Sequence, residues 1–192
     1  EQDRRNRHEP PLAGDGPGLD AEWLDFDLDG DLDVCVTCYD GDNGLYRNDG
    51  TLFTDATPSV LAGIDAVQDL SRADYDGDGD PDLLLLRRDK PNVLLRNDEG
   101  TFVDASAPPI SFAACSFGAA WADFDDDGDL DLYVAVCGGC NVFLQNDGDG
   151  TFSDISTWPM NYNHHCIGCA WGDYDNDADL DIYVASCGHY GI

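Results

Sequence analysis

Positive charge, glutamate and methionine are all scarce in this chain. Its 192 residues hold nine Lys and Arg, four Glu and a single Met, against 36 Asp. The shortage of basic side chains argues against nucleic acid as a partner, because phosphate contacts need a basic patch. Three of the nine, Arg4, Arg5 and Arg7, lie in the first seven residues. They suit a solvated terminal arm, or one that meets an acidic surface on a neighbouring molecule. No apolar run approaches the roughly 20 residues of a membrane-spanning helix, so no membrane span is expected. Nor does a signal-peptide core open the chain, and a secreted protein would here be in its processed form. Helical periodicity is absent, and so is any Asn-x-Ser/Thr sequon. The four His are His8, His164, His165 and His189, and no serine elbow, phosphate loop or nucleophile–base spacing accompanies them. That points away from an enzyme.

What abounds is aspartate, and it is placed in a pattern. Asp is a turn residue and a short-reach ligand, whereas acidic helix surfaces favour Glu, so the net charge of −31 belongs to loops. Four segments repeat one arrangement: Asp25-Phe-Asp27-Leu-Asp29-Gly-Asp31-Leu-Asp33, Asp74-Tyr-Asp76-Gly-Asp78-Gly-Asp80-Pro-Asp82, Asp123-Phe-Asp125-Asp-Asp127-Gly-Asp129-Leu-Asp131 and Asp173-Tyr-Asp175-Asn-Asp177-Ala-Asp179-Leu-Asp181. A solvated halophile-type surface is the plain alternative, and such repetition argues against it.

Five carboxylates alternating over nine residues repel one another unless a divalent cation sits among them. Calcium takes six to eight oxygens, and short Asp side chains on a tight loop supply them. Positions 1, 3 and 5 converge where a Gly at position 6 permits a sharp bend, position 7 offers its carbonyl and position 9 returns a carboxylate. An EF-hand would instead close with Glu at position 12 between helices, and magnesium would keep waters in octahedral geometry. The expectation is about four structural Ca2+, one per loop, taking the charge from −31 to −23.

The first Asp of each loop falls at 25, 74, 123 and 173, a period of 49, 49 and 50. Such a period signals a propeller, solenoid or array. Each loop leads into an apolar run: Val34-Cys-Val-Thr, Leu83-Leu-Leu-Leu, Leu132-Tyr-Val-Ala and Ile182-Tyr-Val-Ala. Further runs end in Asn48, Asn97 and Asn146, and Gly-containing turns join them to Thr51-Leu-Phe, Thr101-Phe-Val and Thr151-Phe-Ser. A first strand precedes each loop, as in Phe117-Gly-Ala-Ala-Trp-Ala122.

The expected fold is therefore all-β: a small β-propeller of four blades forming one domain over 1–192, with residues 1–18 as an N-terminal arm and calcium loops at 25–33, 74–82, 123–131 and 173–181. A β-solenoid is the alternative. Leu12-Ala-Gly14 and Leu61-Ala-Gly63 each stand thirteen residues before a loop, which sets residues 2 to 6 in register with a fourth strand. Cys187-Gly-His-Tyr-Gly-Ile192 aligns with Cys137-Gly-Gly-Cys-Asn-Val142. The last blade is then incomplete, or is completed by the N-terminal arm or by another subunit.

With the Trp121-Ala-Asp-Phe-Asp125 lead-in and the Asn146-Asp-Gly-Asp-Gly-Thr-Phe152 turn, these loops resemble the FG-GAP or VCBS-type repeats of integrin-α-like propellers and many secreted bacterial proteins. The resemblance covers nearly the whole chain. It implies calcium bound between the first two strands of each blade. Departures are Ala178 in place of the loop Gly, Pro81 after Asp80, and four repeats where family propellers commonly have seven blades. A literal Phe-Gly occurs only at Phe117-Gly118.

Eight cysteines, an even number, suit disulfides in an oxidising compartment, where calcium is also plentiful. Cys35-x-x-Cys38, Cys137-x-x-Cys140 and Cys166-x-x-Cys169 invite a zinc or redox reading, although no helix start follows any pair to lower a thiol pKa. A count across each first hairpin sets Cys166 against Cys187, and Cys115 against Cys137 or Cys140. The expected function is that of a non-enzymatic extracellular structural or self-assembly subunit, of a fibre or surface layer, exchanging a strand or arm between subunits. The alternative is a carbohydrate- or protein-binding adhesion module using loop aromatics such as Tyr39, Trp158, Tyr162 and Tyr190.

Overall fold

The flanks of every Asp loop alternate or run apolar, and each becomes a strand. The computed structural model describes residues 18–187 apart from 42 and 162. The N-terminal arm to residue 17, Tyr162, His189 and Tyr190 lie outside the described residues. Among the described residues all regular structure is β, and no helix is long and apolar enough to cross a membrane.

The first unit is an antiparallel meander of β1 (Gly18–Leu24), β2 (Asp33–Cys38), β3 (Gly44–Asn48) and β4 (Phe53–Asp55). The second repeats it with β5 (Val67–Ala73), β6 (Asp82–Pro91), β7 (Val93–Asp98) and β8 (Thr101–Asp104). β9 (Ala113–Ala122), β10 (Asp131–Cys140), β11 (Val142–Asn146) and β12 (Phe152–Asp154) form the third. The fourth contributes β13 (Asn163–Gly172) and β14 (Asp181–Ser186). In each unit the Asp loop joins the first strand to the second.

The second strands are longer than the short runs expected from sequence. β6 and β10 each extend ten residues, bend at a bulge, and pair with the first strand of the next unit, Arg88 with Cys115 and Cys137 with His165. Asp89 (φ 56) and Gly138 (φ 77) occupy the bulges, where left-handed backbone turns the strand. Units two to four are thereby stitched together, and the curled antiparallel sheets form a half-barrel.

The core lies between units. Adjacent residues of β6 point to opposite faces, so Leu83 and Leu85 pack on Leu24, Phe26 and Leu45 of the first unit, while Leu84 and Leu86 pack on Leu132 and Val134 of the third. All four leucines are buried, which is why this strand reads as an unbroken apolar run. Each contributes about 1.5–3 kcal/mol by burial. Between the third and fourth units, Tyr133 and Phe143 meet Trp171 at ring distances of 6.3 and 5.6 Å.

First strands of successive units also lie against one another, β1 on β5, β5 on β9 and β9 on β13, with no comparable contact from β13 back to β1. Asp20 Oδ2 accepts from the Leu70 amide at 2.9 Å, and Asp69 accepts from the Ala119 amide. One unit further along, backbone meets backbone. A Cβ on Gly118 would stand 2.9 Å from Gly168 Cα, so only Gly fits there.

Burial, and after it the neighbouring Asp20 carboxylate, push Asp69 up to about 7. Its folded pKa exceeds its unfolded one, so the native state binds the extra proton and stability from this group is lost as pH rises from about 4 through 7. Asp69→Asn keeps an acceptor and removes the charge. In urea unfolding with saturating calcium, the variant's stability relative to wild type should rise from pH 5 to pH 8; a pH-independent difference would contradict this account.

Candidate metal centres

Each Asp loop bends through the same backbone. Position 6 is left-handed in all four, with φ of 93° at Gly30, 98° at Gly79, 99° at Gly128 and 75° at Ala178. Position 4 is left-handed too, at Leu28 (55°), Gly77 (72°), Asp126 (60°) and Asn176 (62°). Gly, Asp and Asn tolerate that region, whereas Leu28 and Ala178 occupy it under strain.

The position-1 carboxylate caps the bend. Asp25 accepts from the amides of Asp29 and Gly30 at 3.0 Å each, and Asp123 from Asp127 and Gly128 at 3.0 Å. Asp173 accepts from Asp177 and Ala178 at 3.2 Å, while Asp74 accepts from Gly79 at 3.0 Å. Position 5 turns back on position 7: Asp31, Asp80, Asp129 and Asp179 donate their amides to Asp29, Asp78, Asp127 and Asp177.

In the first three units position 9 also ties the loop to the sheet. Asp33, Asp82 and Asp131 are buried, and both oxygens of each are taken by backbone amides. One oxygen accepts from position 2, from Phe26, Tyr75 and Phe124 at 3.0, 3.0 and 3.1 Å. The other accepts from an Asn at the end of the third strand, from Asn48, Asn97 and Asn146 at 2.7, 2.8 and 2.8 Å. These carboxylates are struts that tie loop to sheet. Burial raises the pKa of all three against the opposing pull of those amides, Asp82 to about 7.

The convergent groups are Asp25, Asp27 and Asp29; Asp74, Asp76 and Asp78; Asp123, Asp125 and Asp127; and Asp173, Asp175 and Asp181. In each, three carboxylate oxygens lie within 4.8 Å of one another. Ionised pairs at that separation repel by about 1 kcal/mol in water and by roughly 3–4 kcal/mol at the effective dielectric of a protein surface. Asp27 Oδ1 and Asp74 Oδ1 are also shielded from solvent without any hydrogen-bond partner. Oxygen-only donors, convergence and orphaned acceptors fit a hard divalent cation.

The fourth group differs in composition and exposure. Among the described residues no third strand holds Asp181 down, and it joins Asp173 and Asp175 with all three exposed. Asp31, Asp80, Asp129 and Asp179 at position 7 stand outside the four groups, as does Asp177. Asp80 instead accepts from the Glu99 amide at 2.6 Å in the turn between β7 and β8.

Some of the support is not signalled by the loops themselves. In the second and third units the residue before the strut-binding Asn faces position 3, Arg96 at 3.9 Å from Asp76 and Gln145 donating to Asp125 at 2.6 Å, whereas Arg47 of the first unit pairs with Asp49 at 2.9 Å. A second Asn series, Asn43, Asn92 and Asn141, caps the second strand by accepting from Cys38, Arg87 and Val136 at 2.9, 3.1 and 2.9 Å. Their recurrence once per unit is the only sequence signal for these roles.

The cysteines do not converge on one centre, and no disulfide joins them. A bulge at Phe117 sets Val136 opposite Ser116, which brings Cys137 within hydrogen-bonding reach of Cys115. Cys140 pairs in register with Asn163. A bulge at Ile167 places Cys166 opposite Ser186, while the Cys187 amide donates to His165 at 2.9 Å. Burial pushes the Cys35 and Cys169 thiols up to about 12, and Cys38, three residues after Cys35, is buried as well. These are inert positions for a redox pair.

The FG-GAP-like repeat family matches residues 25–85, 74–134 and 123–184. This chain belongs to the FG-GAP repeat family. Each matched FG-GAP segment begins at position 1 of one Asp loop and runs through the next loop into the strand beyond. The strut Asp, its Asn partner and the following inter-unit contact therefore all fall inside one family repeat. A search of curated proteins finds no match for the chain.

Relieving the strain at position 6 should strengthen the fourth loop. Ala178→Gly removes about 1 kcal/mol of backbone strain, which corresponds to roughly fivefold tighter calcium binding there. Calcium titration of variant and wild type by calorimetry checks this, and identical isotherms would contradict it.

Proposed function

We propose that this FG-GAP protein is a non-enzymatic, calcium-stabilised, extracellular propeller-like module that serves as a structural or self-assembly subunit. The observation that carries the reading is the recurrence of one acidic cluster at one place in all four units, between the first and second strands. Catalytic carboxylates have no reason to repeat with the fold; cations that hold loops closed do. Four blades is the finer architecture we infer. The recurrence of one first hairpin in all four units, β1–β2, β5–β6, β9–β10 and β13–β14, supports it.

The assembly we propose is by exchange of a strand or arm between subunits. A strand with an unsatisfied side is a template for another strand, from the chain's own arm or from a neighbour. An extracellular setting supplies millimolar calcium and oxidising conditions, in which Cys115 and Cys137 are the pair whose side chains already meet. A recognition role for protein or glycan is the second reading, favoured by Tyr39 and Trp158, which are 40% and 74% exposed.

Removing calcium tests the structural role. A site held at a hundredfold excess over its Kd contributes about 2.7 kcal/mol, and a domain of this size gains about 2–4 °C per kcal/mol. Losing four such ions should lower the melting temperature by roughly 20 °C or more, with magnesium restoring little of it. A melt unchanged by chelator would refute structural calcium. Electron microscopy of the calcium-loaded protein separates the two roles: rings or filaments support assembly, and dispersed particles that bind a glycan array support recognition.

A further inference from the structure

One row of side chains crosses four strands and belongs to none of the Asp loops. At the strand ends away from those loops, β6 pairs with β9, β9 with β10 and β10 with β13, and the register sets Arg88 opposite Cys115 and Cys137 opposite His165. Val136 lies opposite Ser116, so the next rung of that ladder puts Cys137 opposite Cys115. Directly opposed residues on neighbouring strands share a face, and the row reads Arg88, Cys115, Cys137, His165 across the stitched sheet. Its sulfurs meet. The Cys115 and Cys137 thiols are hydrogen-bonded to each other, and His165 Nδ1 stands 3.3 Å from Cys137 Sγ.

These are the parts of a thiol–disulfide site: two sulfurs within reach, an imidazole on one and a guanidinium beside the other. Cross-strand partners hold their Cα atoms about 4.5–5.5 Å apart, inside the range of about 4.4–6.8 Å that a disulfide spans. Burial, and after it the neighbouring Cys137 sulfur, raise the Cys115 pKa, with Arg88 pulling the other way. Cys115 is accordingly the thiol that keeps its proton and donates it, and Cys137, beside the imidazole, is the one that gives its proton up. His165 is exposed and Cys137 half-buried, so a small molecule can reach them. The other cysteines are placed differently. Cys140 stands opposite Asn163, the Cys187 thiol donates to the His165 carbonyl at 3.4 Å, and Cys35, Cys38 and Cys166 are buried.

We propose that Cys115 and Cys137 form a reversible redox site, in which His165 takes the Cys137 proton and a small-molecule disulfide is the oxidant. The Cys137 thiolate attacks one sulfur of that disulfide, forming a mixed disulfide and expelling a small thiolate, which leaves with the proton held by His165. Cys115 then attacks Cys137 Sγ: the cross-strand bond forms, the mixed bond breaks, and the Cys115 proton goes to the second small thiolate. Two protein thiols are oxidised, and one small disulfide is reduced to two thiols. Arg88 offsets the negative charge that develops on Cys115 as it attacks. The new bond closes the chain from 115 to 137 into a ring that contains the third Asp loop, so the site staples the base of that loop according to redox state. The oxidising setting proposed above enters only as a source of oxidant. Because the experiment supplies its own, failure there counts against the site and leaves that setting standing.

The reduced full chain in saturating calcium is exposed to oxidised glutathione. Peptide mapping without reductant should find the peptides carrying Cys115 and Cys137 joined, with two glutathione thiols released for each bond closed. The melting temperature should rise by about 6–12 °C on closure and fall back in dithiothreitol. Cys115→Ser should hold glutathione on Cys137, and Cys115→Ala replaces it should the serine variant not fold. His165→Gln, with the melt of its reduced form establishing the fold, should slow closure by about tenfold or more. No closure, or closure of either cysteine onto Cys140 or another partner, would overturn the site. Glutathione held elsewhere than Cys137 in Cys115→Ser would overturn the order of attack, and closure undiminished in His165→Gln would overturn the role of the imidazole. A melt unmoved by closure would overturn the staple.

Discussion

Repulsion among like charges held at close range is the constraint on which the rest of this structure depends. Three carboxylates within 4.8 Å recur in every Asp loop, and each loop lies between the first two strands of a unit. A loop that flies apart separates those strands and frees position 9. In the first three units that residue ties loop position 2 to the end of the third strand through two amides. The metal group and the strut would thus act as one device: a cation held there would neutralise positions 1, 3 and 5, and the buried Asp at position 9 would pass that order into the sheet.

From there order passes across units. The Asn that binds the strut also reaches the preceding unit's position-2 carbonyl, so a loop, its own sheet and the neighbouring loop share one polar chain. Apolar faces do the remainder. With Leu83 and Leu85 on one side of β6 and Leu84 and Leu86 on the other, the second unit is packed on both faces and the cores lie at junctions. In the fourth unit Tyr174 and Tyr183, the counterparts of buried Tyr75 and Tyr133, are exposed.

Much of this was legible in the sequence because the Asp spacing is so regular. The 49-residue unit, the strand before and after each loop, and the meander all follow from it, and the FG-GAP match begins at the same positions. Three features were not legible, for physical reasons. A one-residue bulge recurs before each loop, at Leu19, Gln68, Phe117 and Ile167, and leaves no compositional mark; it shifts Cys166 from Cys187 to Ser186 and sets Cys137 by Cys115. The lengthening of β6 and β10 turns on left-handed residues at Asp89 and Gly138 that read as ordinary loop chemistry. Position 9 reads as a ligand by spacing, and its added role as a strut in the first three units shows only in its burial and its two amide donors. Leu28 shows the same limit from the other side, since nothing about a leucine announces φ of 55°.

The central claim is that one divalent cation per Asp loop is part of the fold, and ion counting tests it most directly. Native mass spectrometry of calcium-equilibrated protein should give the folded charge-state envelope with four bound Ca2+, and stepwise chelation should convert it to an unfolded envelope as the ions leave. A folded envelope that persists with no bound calcium would contradict the account.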